Sequence, residues 1–354
     1  MRAHEGSVGR RYQKDLEGGD SNPYSIDLQK LLDCQAERRL QGKTQVIPAS
    51  NPHVRNRMSH TLGVISLSIK ISEMLTLNRD LCVAIATGHD MGHAPYGHLG
   101  EKVLRKLSGK PFNHNTFGVV TAQHIERGGR GLNLTYETLE GIAKTYRVNP
   151  DELSVPDGVP QEYAVVMFAD RIAYTFADLS DAIKYGGLEK IPDIALELGP
   201  RREERAKKVI EALVSESRDA DRVQFSEGET FDLFMALKKL MKEEVYSKVD
   251  LKSKIATLED VYDFFDKLKD ELDIDPVIAT ALLTDFEADE FVNDIPKRTR
   301  APSFEKDMSH FGLFDILCDF KKSGKSLRNL DYTNPDLGWR DKAYQDAQYP
   351  LVTV

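Results

Sequence analysis

The stretch ATGHDMGHAPYGHLGE, residues 86–101, gathers His89, Asp90, His93, His98 and Glu101 among glycines and a proline. Such a set can bind a metal, move protons, or form only a polar turn. His89 and Asp90 are neighbours at the end of an apolar helical run. Helical neighbours project about 100° apart, so both reach one ion only if it sits between them near the helix end. Imidazole with carboxylate suits Mn2+, Fe2+, Co2+ or Zn2+ and is tolerated by Mg2+. Seven of the nine histidines, His53, His60, His89, His93, His98, His114 and His124, lie between positions 53 and 124.

HDMGH also resembles the zinc-protease pattern H-E-x-x-H with Asp in place of Glu. That pattern needs a continuous helix, and Gly92 and Pro95 end the helix around His93. The protease reading is therefore set aside. An ion held by two adjacent side chains needs further ligands. His60 lies in the first turns of a helix over 57–75, and Asp170 lies in the apolar run VVMFADRIAY, where an unpaired carboxylate is costly. Taken singly, His60 also reads as a helix-end surface residue, and Asp170 as a partner of Arg171. Asp170, Tyr174 and Asp178 recur every four residues and share a helix face. That face either receives a sugar, with Tyr174 as a wall and Asp178 as acceptor, or is a partly solvated stripe. His98 and Glu101, three apart, read as an acid/base pair or as the cap of the helix that follows.

The elements that carry these residues are helical nearly throughout. RMSHTLGVISLSIKISEML (57–75) spaces Leu62, Ile65, Ile69 and Met74 as an amphipathic helix does. The run 79–90 reads as a buried helix, and helices follow over 113–127 and 134–146, the latter capped by Thr135. The strongest pattern is 160–187, opened by Pro160 and closed by Gly186 and Gly187. Only TQVIPA (44–49) and LRNLDY (327–332) suggest strands. The expected fold is all-α, a helical core to about residue 190 with a helical C-terminal half, either joined at a seam over 186–200 or forming a single domain.

The bulk numbers describe an ordinary globular protein: 354 residues, 40% hydrophobic, 30% charged. A net charge of −9 argues against a nucleic-acid coat. There is no apolar run long enough for a membrane span and no signal-peptide h-region. Three scattered cysteines fit a reducing cytoplasm better than a disulfide framework.

His60, His89-Asp90 and Asp170 follow the H…HD…D pattern, so the chain resembles the HD superfamily of metal-dependent phosphohydrolases. Within it, RRLQGKTQVIP (38–48), RNRMSHTLGV, GHDMGHAPYGHLGE, GLNLTYETLEGIAK and ADRIAYTFADLSDAI resemble segments of the deoxynucleoside triphosphate triphosphohydrolases, the dGTPase branch, in order over about 36–185. The resemblance implies an HD core over 51–190, an N-terminal segment 1–50 contributing to substrate and subunit contacts, and a helical region 191–354 packed on the core. It implies cleavage of a dNTP, dGTP by default, into deoxynucleoside and tripolyphosphate. One divalent ion, Mn2+ or Mg2+ first and Fe2+, Co2+ or Zn2+ after them, would be held by His60, His89, Asp90 and Asp170. His98, supported by Glu101, would be the proton-transfer residue or the nucleophile near the α-phosphate. Arg57, His93, His114 and Arg171 would line the phosphate site, and Tyr174, Asp178 and Gln41 would meet sugar or base. An effector dNTP and a homo-oligomer belong to the same expectation. Two departures stand out: Arg171 replaces a usual acid, and the segment 22–40 follows the Arg-rich family pattern only loosely. The competing readings are an HD enzyme for a monophosphate, cyclic nucleotide or other phosphoester, and a nucleotide-binding regulator without turnover.

Overall fold

The computed structural model describes residues 1–4, 7, 9–11, 22–46, 53–144, 154–156, 158–248, 252–294 and 309–339. In chain order the helices are α1 (Pro23–Leu32), α2 (Gln35–Arg39), a 3-10 turn (Leu40–Gly42), α3 (Arg57–Leu75), α4 (Arg79–Gly88), α5 (His98–Ser108), α6 (His114–Val120), a π turn (Thr121–Ile125), α7 (Glu126–Gly129) and α8 (Tyr136–Ala143). After these come α9 (Gln161–Lys184), α10 (Asp193–Leu198), α11 (Arg202–Asp219), α12 (Glu229–Glu244), the 3-10 turn Tyr246–Lys248, α13 (Lys252–Leu272), α14 (Pro276–Leu282), α15 (Asp285–Asp294) and α16 (Gly312–Ser323).

The fold is all-α, as expected. Among the described residues the two strand candidates reduce to single bridges, Thr44 with Asn56 and Ile274 with Leu327. Residues 47–49 of the first candidate lie outside the described residues. No helix among the described residues is long and apolar enough to cross a membrane.

The site is built on a triangle of helices, α3, α4 and α9, each packed on the other two. Local chemistry starts them in the right place. The Asn56 side chain accepts the Ser59 N–H at 2.9 Å while Ser59 Oγ accepts the Asn56 N–H at 3.1 Å, a reciprocal cap that sets Arg57 in the first turn of α3. Asn78 caps α4, and Thr135 caps α8 as the sequence suggests. From Leu81 to Gly88 every residue of α4 is buried, consistent with its all-round apolar pattern.

One expectation for α3 is corrected. The buried seam is Thr61, Val64, Ser68, Ile71, Ser72 and Leu75, whereas Leu62 is 58% exposed and Ile65, Ile69 and Met74 are only half-buried. Small hydroxyl residues occupy the face toward α4 and α9, and the Ser72 hydroxyl is satisfied by Ile69 O at 3.0 Å. A hydropathy pattern does not rank serine as buried. The helix expected over 113–127 is also interrupted: it widens into a π turn at 121–125 and kinks at Arg127 and Gly128.

Among the described residues, two hydrophobic clusters form the interior. The first joins α1, α3, α4, α8 and α9 to α10, α11 and α12, running through the 186–200 stretch by way of Ala195 and Leu198. The second joins α13, α14, α15 and α16 to the chain that follows the histidine loop, at Ala94, Leu104, Phe112 and Phe117.

Candidate metal centre and adjoining histidine cluster

His89 follows the last residue of α4, and Asp90 begins the turn after it. The helix thus ends a little earlier than the sequence suggests, and the two side chains diverge from a helix end toward one point. From α3, His60 brings Nε2 to 3.0 Å from Asp170 Oδ1 on α9. His89 Nε2 lies 3.4 Å from Asp90 Oδ1 and 3.8 Å from Asp170 Oδ1. Ligands about 2.1 Å from a common ion stand about 3.0–3.4 Å apart in octahedral or tetrahedral geometry, so the two shorter spacings fit a divalent metal and the 3.8 Å one a wider angle at it.

A second observation agrees. The His89 Nδ1–H donates to Ala86 O at 2.7 Å, which leaves Nε2 as the lone-pair atom, and that atom is buried with no hydrogen-bond partner among the described residues. A buried, unsatisfied imidazole nitrogen facing two carboxylates is costly unless a cation occupies the point between them.

The charges support the same arrangement. Burial would raise the Asp90 carboxyl, yet His89, His93 and Arg57 hold it well below the usual carboxylate range. Burial opposes ionisation of Asp170 too, and His60 and His89 overcome it. His89 is lowered by burial and is therefore neutral, the form that ligates. His60 is raised despite burial, because Asp170 accepts from it. Arg57, expected at phosphate, places Nη1 2.8 Å from Asp90 Oδ2 and is itself buried.

The second cluster adjoins the first through His93, whose Nδ1 lies 3.2 Å from Asp90 Oδ1. The His93 ring stacks on His114, with centroids 3.7 Å apart, and meets His98 edge-on at 5.3 Å. Glu101, in the first turn of α5, has Oε1 at 2.6 Å from His114 Nδ1 and 3.3 Å from His98 Nδ1. Glu101 therefore grips His114 more closely than the His98 it was expected to serve. Burial raises the Glu101 carboxyl, and His114 and His98 more than offset that, so it stays ionised. Burial lowers His114 and, with Arg57, lowers His93, so both rings are neutral donors or acceptors. The His98 side chain is 72% exposed, open to solvent.

Two glycines permit this crowding. A Cβ on Gly92 would sit 2.1 Å from His114 O, and one on Gly97 would sit 2.2 Å from Arg57 Nη2, where φ is +58° in addition.

On α9, Tyr174 is half-buried under Lys238, whose Nζ is 5.8 Å from the ring, and Asp178 accepts from the Tyr246 hydroxyl at 2.9 Å. Burial pushes the Asp178 carboxyl up to about 6. Arg171, next to Asp170, is half-buried and counters the burial-driven rise of the Tyr174 phenol. Gln41 sits exposed on the 3-10 turn, its carbonyl accepting from Asn56 Nδ2 at 3.0 Å at the start of α3; Gln45 and Arg55 share a cleft with Asp178 and Asp181. Arg55 donates to Ala177 O and Asp181.

Sequence reasoning missed several buried groups. Glu37 is 2% exposed with both carboxylate oxygens unpartnered, and burial, with Asp90 nearby, raises it to about 8. Lys43 is 1% exposed and pushed down to about 7 by burial. Both lie in the QAERRLQGKTQ stretch, whose charge density suggests a solvated face; the only local signal was apolar Leu40 among the charges.

With this geometry in hand, comparison with known proteins is direct. Residues 57–175, from the first residue of α3 to just past Asp170, match the HD domain family. A deoxyguanosinetriphosphate triphosphohydrolase-like protein of Clostridium perfringens is 37% identical over 234 residues, 63% of this chain and 67% of its own length. The chain belongs to this HD-domain, deoxyguanosinetriphosphate triphosphohydrolase-like family. Like-named proteins of Desulfatibacillum aliphaticivorans (37% over 206 residues, 56% of this chain) and Caldanaerobacter subterraneus (35% over 227 residues, 63% of this chain) are similar to it as well. The chain spans 58% and 65% of the length of those two relatives. In this family member the HD match covers both histidine clusters and the start of the α9 face, but neither the Lys43 stretch nor α10–α16.

Proposed function

We propose that the protein is a divalent-metal-dependent phosphohydrolase that cleaves a dNTP at the α-phosphorus, giving deoxynucleoside and inorganic tripolyphosphate. dGTP is the first substrate to test, on the strength of the relatives' name. The observation that carries the reading is the buried, unpartnered Nε2 of His89 facing Asp90 and Asp170, with His60 completing the set.

His60, His89, Asp90 and Asp170 would hold Mn2+ or Mg2+, with Fe2+, Co2+ and Zn2+ as other candidates. A bound ion would supply Lewis-acid polarisation of a phosphate oxygen or of water. Arg57 fixes one face of Asp90 and offers its remaining N–H groups toward phosphate. Neutral His93 and His114 present ring nitrogens beside it, His93 with an unpartnered Nε2. His98, oriented by Glu101, takes a proton from water or gives one to the leaving 5′-oxygen. Tyr174 closes the sugar's 2′ side and Asp178 accepts the 3′-hydroxyl, with Arg171 and Gln41 as outer contacts to phosphate and base.

Purified protein incubated with Mn2+ and each of the four dNTPs, followed by product analysis, tests this. Tripolyphosphate with free deoxynucleoside is expected. Orthophosphate or a monophosphate product would assign another phosphoester chemistry, and binding without product would make the protein a regulator. Added second dNTP and sizing by light scattering test the effector nucleotide and the homo-oligomer.

A further inference from the structure

The loop carrying His93 and His98 is held from outside the region that matches the HD domain. Lys43 is buried, and its ammonium donates to the carbonyls of His93 and, at 3.1 Å, of Ala281 in α14. Its own carbonyl accepts the Arg57 N–H at 2.9 Å. One side chain and its backbone thus touch the start of α3, the histidine loop and a C-terminal helix.

Three residues beyond His93, Tyr96 has φ +57°, a conformation a bulky residue rarely adopts without support. The support is Asp285, 7% exposed at the start of α15. Its Oδ1 accepts the Tyr96 N–H at 2.8 Å, and its Oδ2 accepts the Thr44 N–H at 2.9 Å. The Tyr96 hydroxyl donates to Asp289 at 2.7 Å, and Lys254 pairs with Asp289 at 2.7 Å. Tyr96 leads directly into Gly97 and His98, so this carboxylate sets where α5 begins. A buried ammonium and a buried carboxylate that bond mainly to backbone do not recoup their desolvation through a mutual ion pair. What they achieve is a fixed loop.

We infer that Lys43 and Asp285 are positioning residues through which α14 and α15 set the location of His98. The inference rests on the proton-transfer role proposed above for His98. The coupling is structural in cause and catalytic in effect: a displaced His98 slows the step while leaving the metal ligands in place.

The full chain is compared with Asp285→Asn and Lys43→Met by steady-state kinetics with Mn2+ and dGTP and by amide hydrogen exchange. Expected is a fall in kcat of about 10- to 100-fold, the scale of a small misplacement, with KM little changed. Exchange should rise in the peptide covering 93–98 and not in those from α3 or α9. Lys106→Ala, which removes an exposed contact to Glu259, is the control and should change neither. Retained kcat in both variants overturns the inference, as does a rise in exchange spread over the whole fold. If the wild type releases no tripolyphosphate, the functional reading fails, and the exchange at 93–98 alone decides whether the loop depends on Asp285.

Discussion

The two histidine clusters sit side by side but are held by different means. The first takes its groups from three packed helices: His60 from α3, His89 and Asp90 from the end of α4, and Asp170 from α9. Its histidines and Asp90 are buried, and its order follows from helix packing, with Arg57 holding Asp90 and Ala86 O orienting His89. The second takes His93, His98, Glu101 and His114 from one loop and the starts of α5 and α6. Its supports are backbone hydrogen bonds to Lys43 and Asp285, far away in sequence. Rigid placement of the first cluster comes with the core. Placement of the solvent-facing His98 needs dedicated struts, because a loop buries too little apolar surface to fix itself.

The largest effect expected is on the first cluster. His89→Ala should lower turnover about a thousandfold or more, consistent with loss of several kcal/mol of transition-state stabilisation. Mn2+ binding by calorimetry should vanish while the helical circular dichroism stays. Retained activity would remove His89 from the centre.

Next comes Glu101→Gln, which weakens the hold on both His98 and His114. A fall in kcat of about a hundredfold is expected, with Mn2+ affinity preserved. Lost metal affinity in that variant would erase the distinction between the clusters.

Asp178→Asn should act more mildly and on binding. Asn keeps an acceptor and loses only the charge, so about 1.5 kcal/mol, the low end for a charge-assisted hydrogen bond, is at stake, and KM for a dNTP should rise about tenfold with kcat nearly unchanged. Equal KM for wild type and variant would take Asp178 out of the sugar site and leave it as the partner of Tyr246.

The smallest effect is on stability. Burial lowers the Lys43 ammonium from 10.5 to about 7. Between those values the unfolded chain holds a proton that the folded chain has released, so stability rises with pH across about 7 to 10.5. Lys43→Met removes that slope. In thermal melts at pH 6 and pH 9 the wild type should gain on the variant at the higher pH. Parallel behaviour at both pH values would mean Lys43 is not desolvated as the structure places it.

Much of this was readable along the chain. The helices over 57–75 and 160–187 follow their periodicity and caps closely, because capping and the apolar repeat are local properties. Adjacent His89 and Asp90 at a helix end, and His98 three residues before Glu101, are equally local. The face that α3 buries was misread, since Ser68 and Ser72 take the packed positions and Leu62 the exposed one. Glu37 and Lys43 look like surface charges in their own stretch. Their burial comes from α14, the histidine loop and Asp90, none of which lies near them in sequence.

The order of residues along the chain was enough for the all-α class, the helix starts and the grouping of His89 with Asp90 and of His98 with Glu101, since these depend on neighbours a few positions apart. Folding in three dimensions added which helix faces meet, that Glu101 serves His114 before His98, that Arg57 is bonded to Asp90, and that Asp285 reaches back to Tyr96. Those outcomes depend on desolvation and on hydrogen bonds between segments up to 241 positions apart, for which a linear pattern carries no signal.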